Sequence, residues 1–414
     1  MKLIKRVFKV IITLFSKVYR KINSKKRYSI PFYSFLGYVL FVIVLIKISG
    51  DSKFDKVLLN KRINDVTAIN PIQVNKVIQP RSTDEIIKAI KSTTGPISIG
   101  GGRYSMGGQI GFENSLHIDM RQFNKVLSLD LDKKQVTIQP GITWRDLQEV
   151  IDPSNLSIKI MQTYANFTVG GSISVNCHGR YIGHGPIISS VLNLKITTAD
   201  GNIVVANRTE NTEIFNAAIG GYGGIGVIVE ATLQLVDNVK VERQTKKVDI
   251  NDYNKFFSEN IRNNKNVVFQ NGDLYPPKYE VINNVSWIKS NKELTDTTRI
   301  TPYNENYWLE HAVIKAISWG DFGKWVRRTS IDPFIYSSDK VVWRNKEASY
   351  DVMELEPNSR EKETYVLQEY FIPKKNIEAF TPIMKSIYDK YNTNIVNISL
   401  RHAYPDNESY LSWA

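Results

Sequence analysis

An α+β fold in more than one domain is what this sequence predicts, and three observations carry the prediction. The chain has 414 residues, more than a single hydrophobic core usually organises. Between residues 71 and 236, strand-like runs alternate first with capped helices and then with antiparallel pairs, unlike the repeated strand-helix-strand order of a doubly wound fold. Three glycine-rich turns, at 100–109, 168–180 and 219–226, punctuate that stretch close to strand ends.

A segment of a different kind comes first. The net charge is +13, yet residues 1–30 hold ten lysines and arginines and no acid occurs before Asp51, so the other 384 residues carry an excess of only three. A body so nearly balanced argues against nucleic acid as a partner. The basic leader abuts the most apolar run of the chain, 32–46, extended to Ile48 if Lys47 snorkels. Phe32, Tyr33 and Phe35 stand at one end of it, where a membrane interface favours aromatic rings. Spanning a bilayer takes about 17–25 residues, so the run is at the short limit. The reading is a cytoplasmic leader over 1–30, whose residues 3–19 suit a basic amphipathic helix on an anionic leaflet, and a single transmembrane anchor over 31–49. The positive-inside rule then places everything after Gly50 on the exported side. A cleaved signal peptide and a buried or interfacial helix are the competing readings. Residues 50–70 form a linker.

In the body, residues 74–78 read as a strand, and Ser82 with Glu85 makes a capping box for a helix through Lys91. The β-branched run 97–99 delivers the backbone into Gly100, Gly101 and Gly102, with Gly107 and Gly108 close behind. Clustered glycines let backbone approach a ligand closely, and successive N–H groups in such a turn form a concave anion site. A phosphate or pyrophosphate is the expected guest, with an ordinary surface turn as the alternative. Residues 115–120 alternate as a strand, 126–140 form a hairpin turning at Asp132-Lys133-Lys134, and Thr143 with Asp146 caps a helix to about Ile151.

In the second glycine cluster, Gly170, Ser172, Ser174 and Asn176 on alternate positions predict a flat face against which a ring could lie. His178, His184 and Cys177 raise a metal site, but no other His or Cys lies within fifty residues, and none is expected. The third cluster, Gly221-Tyr222-Gly223-Gly224-Ile225-Gly226, matches G-x-G-x-x-G literally. A helical stretch at 213–219 precedes it and a strand at 227–235 follows, the reverse of the dinucleotide fingerprint, and no glycine run leads into a P-loop lysine. The three turns should therefore meet at one elongated ligand that carries a pyrophosphate. Beyond Asp237, helices are expected at 254–262 and 377–391 and strands at 340–344, 365–372 and 395–403.

Together the three motifs resemble the FAD-binding domain of the vanillyl-alcohol oxidase and para-cresol methylhydroxylase (PCMH) superfamily, densely over residues 71–236 and more loosely beyond. The nearest likenesses within it are the aldonolactone oxidases and the decaprenylphosphoryl-ribose oxidases. The resemblance implies a two-subdomain PCMH-type FAD-binding domain at 71–236 and an antiparallel-sheet cap, the substrate domain, at 237–414. Carried over residue by residue, Gly100, Gly101, Gly102, Arg103, Tyr104 and Ser105 would wrap the pyrophosphate, with Met106, Gly108 and Gln109 in its continuation. Tyr164, Thr168, Gly170 and Gly171 would lie beside flavin and diphosphate, and Ser174, His178 and Gly179 at the ring and ribityl chain. Gly221, Gly223, Gly224, Gly226 and Ile228 would hold the adenosine half.

The sequence departs from the family pattern in three places. Many relatives carry a flavin-tethering histidine where this chain has Tyr104, so non-covalent FAD is expected. Cys177 lies in the wrong motif for a tether and reads as a small packing residue. Where aldonolactone oxidases place Glu-x-Arg on a late cap strand, this chain reads Ser399-Leu400-Arg401, with the arginine and without the acid. Family chains also run on from that strand back to the FAD domain, whereas this one stops at Ala414, which reads as a truncation.

The implied activity is oxidation of a CH–OH group of a sugar, sugar lactone or polyprenyl-linked sugar by hydride transfer to flavin N5, with oxygen or a quinone left open as acceptor. Arg401, His178 and Glu369 are the candidate catalytic residues, and Arg180 is a further candidate for meeting the charge that develops on the flavin. The alternative is a non-catalytic remnant that keeps the scaffold without its closing segment.

Overall fold

The computed structural model describes residues 61–413 apart from 304, 306 and 356–363. The expected leader and anchor at 1–49 lie outside the described residues, as does the linker up to residue 60. Among the described residues no helix is long and apolar enough to cross a membrane.

The first subdomain starts with a two-stranded antiparallel ribbon, β1 (Arg62–Ile63) and β2 (Ile72–Gln73). Then come β3 (Lys76–Ile78), α1 (Thr83–Lys91), β4 (Ile97–Gly100) and β5 (Leu116–Asp119). β3, β4 and β5 form a parallel sheet in the order β3-β5-β4, so β5 belongs with the parallel strands rather than with the antiparallel pairs that the sequence order suggested. The central strand β5 is buried at all four positions rather than alternating, as befits a parallel strand covered on both faces. At the start of α1, Ser82 accepts the Glu85 N–H at 3.2 Å, while the Glu85 carboxylate takes the N–H of Arg81 instead of completing the capping box on Ser82. Ile86 and Ile90 of α1 pack against Ile118, Met120 and Phe123.

The second subdomain comprises the hairpin β6 (Val126–Asp130) and β7 (Gln135–Ile138), α2 (Trp144–Ile151), β8 (Leu156–Ile158), α3 (Val169–Ser174), β9 (Val191–Thr197), β10 (Ile203–Asn207), α4 (Thr212–Ala218) and β11 (Val227–Asp237). Its antiparallel sheet runs β10-β9-β11-β7-β6, with β8 on the far end of β11. A bulge between Ile228 and Glu230 divides the loyalties of β11. Val227 and Val229 enter the core of the first subdomain beside Ile86 and Ile118, while Ile228, Ala231, Leu233 and Leu235 belong to the core of the second.

The cap is a five-stranded antiparallel sheet, β15-β12-β14-β13-β16, built from β12 (Lys240–Asp249), β13 (Val267–Leu274), β14 (Val281–Lys289), β15 (Val341–Trp343) and β16 (Ile398–Leu400). Helix α5 (Ile250–Asn260) begins earlier than the periodicity predicted because Asp249 caps it, accepting the Asn251 N–H at 2.9 Å. Helices α6 (Trp308–Ser318) and α7 (Asp321–Val326) follow, the latter continuing into a π-helical turn at Arg327–Ile331, and α8 (Ile377–Lys390) falls where expected. Tyr253 and Phe257 of α5 and Met384 of α8 pack on Ile282 and Leu274 of the sheet.

Two strand expectations fail in the cap. The 395–403 run pairs only over Ile398–Leu400, and residues 365–372 form no ladder. The latter segment crosses to the FAD-domain side instead, where the Leu367 N–H donates to the Met106 sulfur at 3.0 Å.

Candidate active site

The first glycine turn leaves β4 above a histidine of β5. His117 is fully buried, its Nδ1 lies 2.9 Å from the Ser98 hydroxyl, and its Nε2 has no partner among the described residues. Burial, with Arg103 and Arg121 nearby, pushes its pKa down to about 4, so the ring is neutral. A Cβ on Gly100 would fall 2.6 Å from that Nε2.

Thr168 joins the first turn to the second. Its hydroxyl accepts the Gly102 N–H at 3.3 Å, and a Cβ on Gly101 would stand 2.1 Å from the same oxygen. The third turn closes on both. Tyr222 N–H donates to Ser174 O at 3.0 Å, and a Cβ on Gly223 would meet Ile99 of β4 at 3.1 Å. Turns far apart along the chain thus converge. Asp65 anchors the outer end of the first turn by accepting the Gly108 N–H at 3.0 Å, and the Gln109 side chain accepts that of Gly107. Arg103 is buried, Tyr104 packs its ring on Phe167 at 4.8 Å between centroids, and Ser105 is half-buried. A cleft of about 260 Å³ opens beside Gly102, Tyr104 and Thr168, with Tyr303 and Tyr350 of the cap on its far wall.

The flat face expected at 170–176 does not form, because Val169–Ser174 is a helical turn and alternate residues no longer share a side. Ser172 points inward, accepting the Trp144 Nε1–H at 2.9 Å, and Asn176 is buried against Asp406. Several glycines are also demanded by the chain itself. A Cβ on Gly179, Gly221 or Gly226 would strike the carbonyl oxygens of Met161, Ala217 and Thr197 at 2.0, 2.1 and 2.4 Å, and one on Gly170 would strike Pro140. Ile228 pairs with Ile196 inside the sheet.

The three candidate catalytic residues do meet. Glu369 Oε1 lies 3.0 Å from His178 Nε2 and accepts from Arg401 at 2.5 Å. Burial opposes ionisation of Glu369, but His178 and Arg401 together hold its carboxyl below the usual range. The His178 ring lies against Trp413 at 4.7 Å and Phe371 at 5.8 Å, and its Nδ1 has no partner among the described residues. Glu369 therefore supplies Arg401 with a carboxylate that the neighbouring strand position, Ser399, lacks.

Arg180 does not join them. Its guanidinium donates to Glu347 Oε1 at 2.8 Å and to the Glu347 carbonyl at 3.0 Å, between the rings of Phe269 and Tyr350, so it is locked into an ion pair with the cap. Cys177 is buried and burial pushes its thiol up, which leaves it an inert packing residue.

Sequence reading missed three contributors. Glu354 hydrogen-bonds Tyr164, and burial, with Glu310 and Asp351 near, lifts its pKa to about 7. Glu347 and Trp413 are the others, and no local spacing marks any of the three. The return to the FAD domain judged missing is in part present. Arg208 pairs with Glu408 at 2.7 Å, Tyr410 N–H donates to Asn216 O, and Trp413 Nε1–H reaches the carbonyls of Val175 and Asn176. Residues 404–413 thus lie over the second and third turns.

Residues 74–207 match the family model described as FAD binding domain. Among curated proteins, the chain is 31% identical over 170 residues to L-gulonolactone oxidase of Bos taurus, covering 40% of this chain and 38% of that one. It is 29% identical over 173 residues to the mitochondrial L-galactono-1,4-lactone dehydrogenase of Arabidopsis thaliana (42% and 28%). It is 30% identical over 162 residues to a putative D-arabinono-1,4-lactone oxidase of Neurospora crassa (38% and 29%). The chain thus spans between 28% and 38% of the length of these relatives. With two of the three glycine turns inside the matched stretch and the third, at 219–226, packed against them, this chain carries an FAD-binding domain of the vanillyl-alcohol oxidase and para-cresol methylhydroxylase superfamily.

Proposed function

We propose that the chain is an FAD-linked oxidoreductase that oxidises a CH–OH group of a sugar lactone or related sugar, with FAD held non-covalently and the body carried on the exported face of a membrane by the anchor at 31–49. The observation that carries the reading is the meeting of Arg401, Glu369 and His178 beside the second glycine turn. The relatives named for lactone oxidation support the substrate class.

The residues fit the cofactor. His178 Nδ1 has no partner among the described residues, and Gly171 and Gly224 leave backbone that a side chain would crowd, since a Cβ would stand 3.0 Å from Thr168 Oγ1 and 3.2 Å from Gly221 O respectively. Gly100 to Gln109, Thr168 and Gly171 would hold the diphosphate, Tyr164, Ser174 and His178 the ring end, and Gly223 and Gly224 the adenosine end. When bound, FAD supplies the hydride acceptor. Arg401 orients the substrate oxygens through its remaining donors. Glu369 stays ionised and fixes both Arg401 and the His178 ring, and His178 Nδ1 takes the proton of the substrate hydroxyl while Glu369 stabilises the resulting imidazolium.

The test is purification of the full chain in detergent, acid precipitation, and anaerobic mixing with L-gulonolactone, L-galactono-1,4-lactone and D-arabinono-1,4-lactone. A yellow supernatant and bleaching by at least one lactone are expected. Colourless protein would sink the cofactor assignment, and yellow protein that no sugar bleaches would point to a non-catalytic remnant.

A further inference from the structure

The cap carries a large apolar surface that the redox reading leaves unused. On α8, Met384 and Tyr388 turn toward the sheet, whereas Ile383, Ile387 and Tyr391, spaced four apart, are 60%, 49% and 68% exposed. On and just before α7, Trp319, Phe322 and Trp325 are 52%, 47% and 41% exposed, and the Phe322 and Trp325 rings stack at 5.9 Å. The two stripes are neighbours. Asn394, just beyond α8, donates to Ser318 O at 2.8 Å, and Arg327 donates to Asn397 Oδ1 at 2.8 Å. Tyr279, 6.1 Å from the Tyr388 ring, is near enough to Asp321 to be influenced by its charge.

Exposed rings grouped in this way mark an interaction surface. Its composition, two tryptophans, a phenylalanine and a tyrosine beside lysines and arginines, suits the headgroup region of a bilayer more than a dry protein interface. Around α7, Lys324 is buried and Arg327 is paired with Asp273 and Asp332, which leaves the half-buried Lys315 and Arg328 against the exposed Asp321, an excess of one positive charge. On α8, Lys390 sits over the Tyr391 ring at 5.0 Å. Fourteen residues, 47–60, separate the apolar run from the described body. Fully extended they span at most about 50 Å, so insertion of that run would keep the body within reach of the same membrane and raise the effective concentration of a weak contact.

We infer that Trp319, Phe322 and Trp325, with Ile383, Ile387 and Tyr391, form a surface that lies on an anionic phospholipid bilayer. The contact is independent of the redox chemistry.

Tryptophan fluorescence tests it cleanly, because the first of the seven tryptophans is Trp144 and residues 1–60 contain none. The full chain is reconstituted in vesicles of phosphatidylcholine and phosphatidylglycerol carrying bromine-labelled acyl chains. Bromolipid should quench the emission, most of that quenching should be lost in W319Y/W325Y, and it should weaken in vesicles of phosphatidylcholine alone. Phe322→Ser with Ile387→Ser, both at exposed positions, should lower quenching while leaving the circular dichroism spectrum unchanged. Quenching that is absent in the parent or unaltered in both variants overturns the inference. So does a change of oligomeric state in the Ser variant with quenching preserved, which would assign the surface to a second copy of the chain.

Discussion

Two arginine–glutamate pairs, built from the same chemical groups, have opposite characters. Arg180 and Glu347 join the FAD domain to the cap with side chains 9% and 2% exposed, the guanidinium bonded to both the carboxylate and the carbonyl of Glu347 and close to the rings of Phe269 and Tyr350. Arg401 and Glu369 are 18% and 37% exposed, and Glu369 is shared with a histidine that keeps one ring nitrogen unpartnered among the described residues. A pair buried this deeply is out of a substrate's reach, whereas an open pair beside an unpartnered ring nitrogen is not. The difference teaches that charge type alone does not assign a role, and that residual hydrogen-bonding capacity does.

The largest expected effect breaks the sealed pair. Glu347→Gln leaves the buried Arg180 without its counter-charge and should cost about 3–5 kcal/mol in urea unfolding, with any FAD already bound released in the same transition. Next, Arg401→Ala should lower the rate of flavin bleaching by about 100-fold while moving the unfolding midpoint little, since its pair is partly solvated. An Arg401→Ala protein as unstable as Glu347→Gln would erase the distinction between the pairs.

A pH experiment is third. The carboxyl of Glu354 is raised in the fold, so its protonated form is favoured there, and stability falls as pH rises from the ordinary glutamate range through about 7. Discounted for partial exposure, the loss is about 2 kcal/mol between pH 4.5 and 7.5 and should disappear from the pH profile of Glu354→Gln. The smallest effect belongs to the backbone side of the groove. Gly101→Ala forces a methyl onto the Thr168 hydroxyl and should weaken FAD binding by about tenfold, partly restored by adding Thr168→Ala. FAD titration by flavin fluorescence reads both variants.

How much was legible in the sequence follows from what each part is made of. The glycine turns, the capped helices α1 and α2 and the hairpin β6–β7 are local, written in residues within a few positions of one another, and they fall where the spacing placed them. The parallel pairing of β5 was not legible, because direction is set by long-range contacts that a short apolar run does not encode. At 170–176, alternating small residues read as extended, and Thr168 starting a helical turn overrode that period. On the cap side, Glu369 was named on a strand that does not form, and its carboxylate nonetheless meets His178, 191 positions away. Glu347 and Glu354 were not singled out at all, since only folding brings them to Arg180 and Tyr164.

The division of β11 between two hydrophobic clusters has a mechanical result. With alternate side chains committed to different halves, neither half can swing without dragging a strand out of the other, so both should melt in one calorimetric transition. The groove between them then behaves as a slot of fixed width rather than a jaw, and adaptation to a guest falls to the segments that arch over it, residues 364–372 and 404–413.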